Sequence, residues 1–192
     1  VRHHGFKGTF AEFYSKPVMQ NRQSQLLGAV PLQAVGIIGL TERYEESIEL
    51  INSRFAWSIP VRKDNDSENF LNNPSYSFSE AEEKELVYLN QKDLDLYHQC
   101  SELFNTRIKL YRVGLRFSHA KIQQVAEKCR IGWAWWENEA NDTIEVDLLV
   151  NGQLMQKRQA TELRPSLCWI HPPRGAHVGF SFPNVARAGD TV

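Results

Sequence analysis

The spacing of apolar residues changes near residue 130, and this change constrains the fold more than any other feature of the chain. From Leu96 to Ile108 apolar residues recur at intervals of three and four, which is typical of an amphipathic helix. From Thr143 to Val150 they alternate with polar residues, which is typical of a half-buried strand. A helical half followed by a β half predicts an α+β protein in two parts.

A short apolar segment that runs into an amphipathic helix predicts one βα unit in the first half. We expect Ala34–Leu40 to be a buried parallel strand. Thr41 is placed to cap the helix that follows, and three glutamates lie in its first turns, where the helix dipole favours negative charge. Tyr44, Ile48 and Ile51 would then pack this helix on the sheet.

Capping signals predict several further helices. A helix is expected over residues 19–28, closed by Gly28. Ser118 is expected to cap another short helix, which would carry Ile122, Val125 and Cys129 on its inner face. Two capping boxes, in which the side chains of residues i and i+3 bond each other's backbone N–H groups, are predicted: Thr9 with Glu12, and Ser79 with Glu82.

The β half contains a strong hairpin signal. Asn151-Gly152 predicts a two-residue turn joining Thr143–Val150 to Gln153–Ala160, because both residues tolerate positive φ. We expect the apolar face of this hairpin to pack against a strand that carries Trp133 and Trp135. A further strand is expected over 177–182, so the half is predicted to be a small antiparallel β-sandwich-like module.

Size and charge limit the classes of function. The 192 residues suit two small domains, and we predict boundaries at 1–112, a connector at 113–130, and a truncated β module at 131–192. The net charge of −1 gives no case for a nucleic-acid partner. Three distant cysteines without a C-x-x-C pair argue against a metal site and favour a reducing compartment. No apolar run is long enough for a transmembrane helix.

Three segments of the first half carry a family resemblance. They are Asn21–Gly28, Gly39–Ser47 and Leu89–Tyr97, and they occur in the order expected for the last βα unit of a known enzyme family. This region resembles carbohydrate sulfotransferases of the heparan sulfate 2-O-sulfotransferase type and their bacterial relatives. The resemblance covers roughly residues 5 to 110 and implies a mostly helical C-terminal fragment of a P-loop-like α/β sulfotransferase domain.

Four segments of the second half resemble a different bacterial module. They are Gly132–Trp135, Leu149–Gly152, Ala160–Leu167 and Val178–Phe182. In this order they are similar to a β module attached to glycosyltransferases and sulfotransferases that decorate cell-surface glycans. Ser166 stands where that module has an acidic residue, so no role of the acid is carried over.

The sulfotransferase resemblance implies transfer of a sulfuryl group from 3′-phosphoadenosine 5′-phosphosulfate to a carbohydrate hydroxyl. In that family a phosphate cradle and a catalytic base lie ahead of the matched region, so no catalytic residue is assigned within these 192 residues. The chain is therefore expected to be an inactive fragment of a cytoplasmic enzyme, with attachment to the membrane surface left open.

Six residues are candidates for ligand contacts. Arg22 and Gln23 could bind the acceptor, and Trp136 could stack on a sugar; helix packing and core packing are the competing roles. The resemblance places a segment at 69–75 near the 3′-phosphate of the donor, although relatives are basic there; a solvated loop is the alternative. The donor candidates in that segment are Asn69, Asn72 and Asn73.

Two rival functions remain open. The first is a non-catalytic glycan-binding or scaffold protein that acts through the β module. The second is another P-loop-related transferase. The acceptor sugar and the oligomeric state do not follow from the sequence.

Overall fold

A computed structural model describes residues 7–62, 78–125, 129–183 and 190–192. The chain divides into two compact units. The helical unit consists of Val1–Leu32 and Ile37–Thr106, and the sheet unit of Gln33–Gly36 and Arg107–Val192. The fold is therefore a mixed α+β one. Independent folding of the two halves stays a prediction.

Five α-helices and several 3₁₀ turns occur in the described residues of the first half. Both predicted capping boxes are confirmed, at the starts of the first and fourth helices. The predicted helix at 19–28 is present but shorter, and it ends at Gly28, whose φ is 55°. The helices are α1 (Phe10–Tyr14), α2 (Arg22–Leu27), α3 (Tyr44–Phe55), α4 (Glu80–Leu89) and α5 (Gln91–Arg112).

The predicted strand at Ala34–Leu40 is wrong. A 3₁₀ turn covers Leu32–Ala34, and residues 35–40 form no ladder with any described strand. Ile38 and Leu40 are buried as expected. The backbone of Leu40 bonds locally instead: its N–H donates to the Ser47 hydroxyl at 2.9 Å, and its carbonyl accepts from the same hydroxyl at 3.0 Å. Apolar composition predicted burial correctly, but a strand also needs a partner to complete its hydrogen bonds.

The start and inner face of α3 also differ from the prediction. Thr41 does not cap α3, because Thr41–Arg43 forms a 3₁₀ turn and the helix begins at Tyr44. The Ser47 hydroxyl joins the turn to the helix instead, since it also donates to the Arg43 carbonyl at 2.9 Å. Tyr44 is 42% exposed, whereas Ile48 is buried. The inner face is therefore displaced from the predicted one, toward Ser47, Ile48 and Leu50.

The sheet unit contains two antiparallel sheets. One has four strands in the order β1-β2-β6-β5, and the other is the β3-β4 hairpin. Residues of both sheets meet in one core cluster, in which Leu148 of the hairpin packs with Ala134, Phe180 and Phe182 of the larger sheet. The strands are β1 (Ser118–Val125), β2 (Cys129–Trp136), β3 (Glu145–Val150), β4 (Gln153–Gln159), β5 (Glu162–Leu163) and β6 (His177–Pro183).

The predicted helix beginning at Ser118 is wrong, because this segment is strand β1. It pairs with β2 along its whole length, from Ser118 opposite Trp136 to Val125 opposite Cys129. The capping residue and apolar spacing were compatible with a helix. The hydrogen bonds to β2 outweigh this weak local preference.

The hairpin is confirmed, but its packing partner differs. Asn151 and Gly152 have φ of 52° and 77° and connect β3 to β4. The face that carries Leu148 is turned inward as predicted, but it does not reach Trp133 and Trp135. That side of β2 is covered by Leu167 and Ile170 from the 3₁₀ segment Pro165–Ile170.

Candidate functional site

Two of the resemblance segments meet in the helical unit at the starts of α2 and α5. The side-chain oxygen of Asn21 accepts from the N–H of Lys92 at 2.8 Å and of Asp93 at 3.3 Å. Asp93 in turn accepts from the N–H of Gln23 at 3.0 Å and of Ser24 at 2.7 Å. Each residue thus caps the other's helix, which satisfies backbone donors that a helix cannot satisfy itself. We call this arrangement the Asn21–Asp93 junction.

Asn90 completes the junction. Its side-chain oxygen accepts from the Asn21 N–H at 3.0 Å, and the Asn21 amide donates to the Leu89 carbonyl at 2.9 Å. Asn21 adopts a left-handed backbone, with φ 48° and ψ 41°, a conformation that asparagine tolerates better than most residues. Asn21 and Asn90 therefore both have a structural role, since their side-chain amides bond the two segments to each other.

The charge of Asp93 is stabilised at this junction. Partial burial by itself would raise the pKa of Asp93, but hydrogen bonds from the Ser24 and Gln23 N–H groups outweigh it, and the pKa is lowered. The carboxylate also occupies the N–H groups at the start of α2. That helix terminus is consequently engaged by the protein's own acid rather than presented to an anionic ligand.

The remaining resemblance segment, Gly39–Ser47, contacts α5 at Tyr97, one helical turn beyond Asp93. The Tyr97 hydroxyl donates to the Glu42 carboxylate. This hydrogen bond lowers the pKa of Glu42 and raises that of Tyr97. The neighbouring Arg43 guanidinium lies 4.6 Å from the centre of the Phe104 ring and bonds the Asn105 side chain. All three resemblance segments therefore bond directly to α5 or, in the case of Leu89–Tyr97, form part of it.

The acceptor candidates Arg22 and Gln23 are adjacent at the start of α2. Both residues are exposed. The backbone of Gln23 is held by Asp93, while its side chain lies at the surface. The donor candidates Asn69, Asn72 and Asn73 lie outside the described residues. Arg22 and Gln23 therefore lie side by side at the surface, and the donor contacts predicted for the three asparagines stay a prediction.

Three of the β-module segments converge on Arg164 in the sheet unit. Its guanidinium donates to the carbonyls of Gly132 at 3.2 Å and Phe180 at 2.6 Å, and it pairs with Glu162 at 3.0 Å. Its side chain lies so close over Gly179 that a Cβ there would be 2.5 Å from the guanidinium carbon. We call this group the arginine node. The close approach of Arg164 leaves no room for a side chain at position 179.

Gly132 faces a similar restriction on β2. A Cβ at this position would lie 2.3 Å from the Phe180 ring and 2.6 Å from the Lys121 carbonyl. On the other side of the node, the Ser181 hydroxyl donates to Glu162 at 2.5 Å. Partial burial of Glu162 acts to raise its pKa, but the hydrogen bonds from Ser181 and Arg164 prevail and lower it. The node is a packed, charge-compensated structural element.

The tryptophans of β2 divide between two faces. Trp133 and Trp135 are 3% and 7% exposed and stack on each other with ring centres 4.8 Å apart, so neither presents a ring to a sugar. His119 continues this stack at 5.3 Å from Trp135. Trp136, the predicted platform, is half-buried, and the Arg116 guanidinium lies 4.1 Å from its ring centre. Part of the Trp136 ring therefore contacts the Arg116 guanidinium in a cation–π interaction.

Sequence reasoning did not assign roles to Asp93, Tyr97 or Arg174. Asp93 stands in the first turn of α5, but its carboxylate caps α2, which lies about seventy residues earlier in the chain, so its local position does not reveal this role. Arg174 carries no local signal: it donates to the carbonyls of Ala140 at 3.0 Å and Asp142 at 2.7 Å, more than thirty residues away. Burial lowers the pKa of this guanidinium, opposed by the charge of Asp142.

The described residues offer neither a metal-binding cluster nor a helix that could span a membrane. Within residues 7–62, 78–125, 129–183 and 190–192, no three His, Cys, Asp or Glu side chains form a group that could hold a metal ion. Cys100 and Cys168 are not joined in a disulfide bond. None of the helices in the described ranges is both long enough and apolar enough to cross a membrane.

Comparison with known proteins adds no assignment. No family model, curated protein or solved structure gives a significant match to this chain.

Proposed function

We propose that this chain is the C-terminal part of a carbohydrate sulfotransferase, followed by an antiparallel β module. The complete enzyme would transfer a sulfuryl group from 3′-phosphoadenosine 5′-phosphosulfate to a glycan hydroxyl. The observation that carries the proposal is that the two other resemblance segments both bond to the third, Leu89–Tyr97, at the start of α5. Asn21 bonds the start of α5, and Glu42 bonds Tyr97 on it. If the three segments belong to one family architecture, they are expected to contact each other, as they do here.

On this proposal, the helical unit completes the acceptor side of a P-loop-like domain. Ile38 and Leu40 are buried, the backbone of Leu40 is extended, and no described strand lies beside their segment. That segment is where a strand of the donor-binding half would pair. The phosphate cradle and the base that removes the proton of the acceptor hydroxyl would come from the same half, in agreement with the assignment of no catalytic residue here.

Arg22 is the residue proposed to recognise the acceptor. Its guanidinium can form two parallel hydrogen bonds with a carboxylate or sulfate group, which a lysine cannot. It lies beside Gln23 on the rigidly capped start of α2, so its backbone position is defined. Such a site suits an acidic polysaccharide.

Sulfuryl transfer by the full-length polypeptide tests the proposal. The donor labelled with ³⁵S is incubated with a panel of acidic and neutral polysaccharides, and label in the polysaccharide is counted. We expect transfer to an acidic acceptor, and Arg22→Ala should raise KM for that acceptor with little change in kcat. Lys84→Ala removes a surface cation on α4, whose side chain is 75% exposed, and is the matched control. Absence of transfer to every acceptor would refute the enzyme.

The second candidate is a glycan-binding or scaffold protein that acts through the sheet unit. Trp136 favours it, because part of this ring remains accessible beside Arg116. A saccharide array separates the candidates: saccharide binding that Trp136→Ala abolishes, without sulfuryl transfer, supports the second. Trp169→Ala is the control, since Trp169 is 55% exposed on the same unit.

A further inference from the structure

The tip of the β3-β4 hairpin is clasped by the segment 190–192. The Asn151 N–H donates to the Thr191 carbonyl at 2.8 Å, and the Asn151 side-chain oxygen accepts from the Thr191 N–H at 3.0 Å. The Asn151 amide nitrogen donates to the Asp190 carboxylate at 2.7 Å. Three hydrogen bonds, one of them to a charged acceptor, therefore depend on a single asparagine. We call this arrangement the Asn151 clasp.

The same asparagine has a reactive neighbour. Asn151-Gly152 is the one Asn-Gly pair in the sequence, and glycine leaves its own backbone nitrogen unshielded because it has no Cβ. In such a pair the glycine nitrogen attacks Cγ of the asparagine. The new N–Cγ bond forms, the Cγ–Nδ2 bond breaks, and ammonia leaves with the proton of the glycine N–H. Water then opens the resulting succinimide to aspartate or isoaspartate.

The product is incompatible with the clasp. Deamidation replaces the Nδ2 donor, which now lies 2.7 Å from the Asp190 carboxylate, with a second negatively charged oxygen. Two carboxylates at this distance repel each other, and the hydrogen bond is lost. The residue still tolerates the left-handed turn, since aspartate resembles asparagine in this respect. The aspartate product therefore damages the clasp alone, whereas isoaspartate, which adds one methylene to the backbone, alters the turn as well.

We propose that Asn151-Gly152 is a spontaneous deamidation site and that its product opens the clasp. The inference does not depend on the proposed enzyme activity. The Asn151 side chain must rotate toward Gly152 before the reaction can occur. In the closed clasp hydrogen bonds hold both its Oδ1 and its Nδ2. The clasp thus slows the reaction that destroys it, and any weakening of the clasp accelerates deamidation.

Mass spectrometry and amide exchange test the two halves of this proposal. The native protein and Asp190→Ala are incubated at mildly alkaline pH, and the mass increase of about 1 Da from amide to acid is located by peptide mapping. We expect Asp190→Ala to deamidate several-fold faster at Asn151, with Asn141 as the internal control. No reaction at Asn151 in either protein would overturn the proposed site, and equal rates in the two proteins would overturn its protection by the clasp.

Hydrogen exchange by NMR measures opening of the clasp directly. Asn151→Asp should raise the exchange rates of the residue-151 and Thr191 amides about tenfold, as expected for loss of one charge-assisted hydrogen bond. The double variant Asn151→Asp with Asp190→Asn exchanges the two groups and should restore slow exchange. Unchanged exchange in the single variant, or failure of the double variant to restore it, would overturn the link between deamidation and the clasp.

Discussion

Asn21 and Asp93, 72 residues apart in the chain, cap each other's helices. The Asn21 side chain receives the first N–H groups of α5, and the Asp93 carboxylate receives those of α2. Neither cap is formed by a residue of the helix it terminates. The two helices are therefore coupled at their starts, and a change at either residue affects both.

The charge at this junction predicts an acid-sensitive contribution to stability. Asp93→Asn should lower the free energy of unfolding by about 1 kcal/mol at neutral pH, since the carboxylate accepts with both oxygens and carries a charge, whereas the amide has one acceptor oxygen and no charge. Because the folded pKa of Asp93 is lowered, this contribution is complete above the unfolded pKa and disappears as the pH falls through the folded pKa. Urea unfolding at several pH values measures it. Asp95→Asn, at an exposed position on the same helix, is the control and should retain the contribution of Asp93.

The hydrogen bond between Tyr97 and Glu42 predicts a coupled titration. Removal of the hydroxyl in Tyr97→Phe should raise the pKa of Glu42 toward its ordinary value, because that hydroxyl is the main cause of the lowering. NMR titration of the glutamate side-chain carbons reads this directly. Tyr88→Phe removes the hydroxyl of a tyrosine that is 80% exposed and should leave the pKa of Glu42 as lowered as in the native protein. An unshifted Glu42 in Tyr97→Phe would mean that the contact does not persist in solution.

The arginine node predicts that Gly179 tolerates no side chain. In Gly179→Ala the new Cβ would displace Arg164, which is held by two carbonyls and cannot swing away without losing them. We expect a loss of about 2 kcal/mol in the free energy of unfolding, as for an overpacked core. Gly36→Ala belongs to the same unit and meets open space, so it should be nearly neutral. Similar stability of the two variants would contradict the node.

The positive φ of Gly152 predicts that a β-branched side chain at this position destabilises the hairpin turn. Gly152→Val should destabilise the sheet unit by about 2 kcal/mol, because a β-branched residue is strained at φ 77°. Gly152→Asn keeps a residue that accepts positive φ and should cost much less. Four of the five tryptophans lie in the sheet unit, so fluorescence follows that unit while circular dichroism at 222 nm follows the helices. Equal loss in both signals would mean that the halves do not unfold independently.

Local chemistry determined the elements whose bonds join residues close in sequence. The capping boxes at Thr9 and Ser79 need only residues three apart, and the Asn151-Gly152 turn needs only two residues that accept positive φ. For such features the side-chain type and its spacing contain the whole interaction. The same holds for the alternation that turned Leu148 inward.

Tertiary structure decided everything that depends on a distant partner. Residues 118–125 became a strand because β2 offered a ladder, and residues 35–40 did not because no described strand lies beside them. The segment around Leu167, and not the hairpin, packs on the face of β2 that carries Trp133. The caps at Asn21 and the carbonyls that bind Arg164 likewise come from residues tens of positions away. Sequence spacing specifies which groups need partners; only the folded chain determines which partners are within reach.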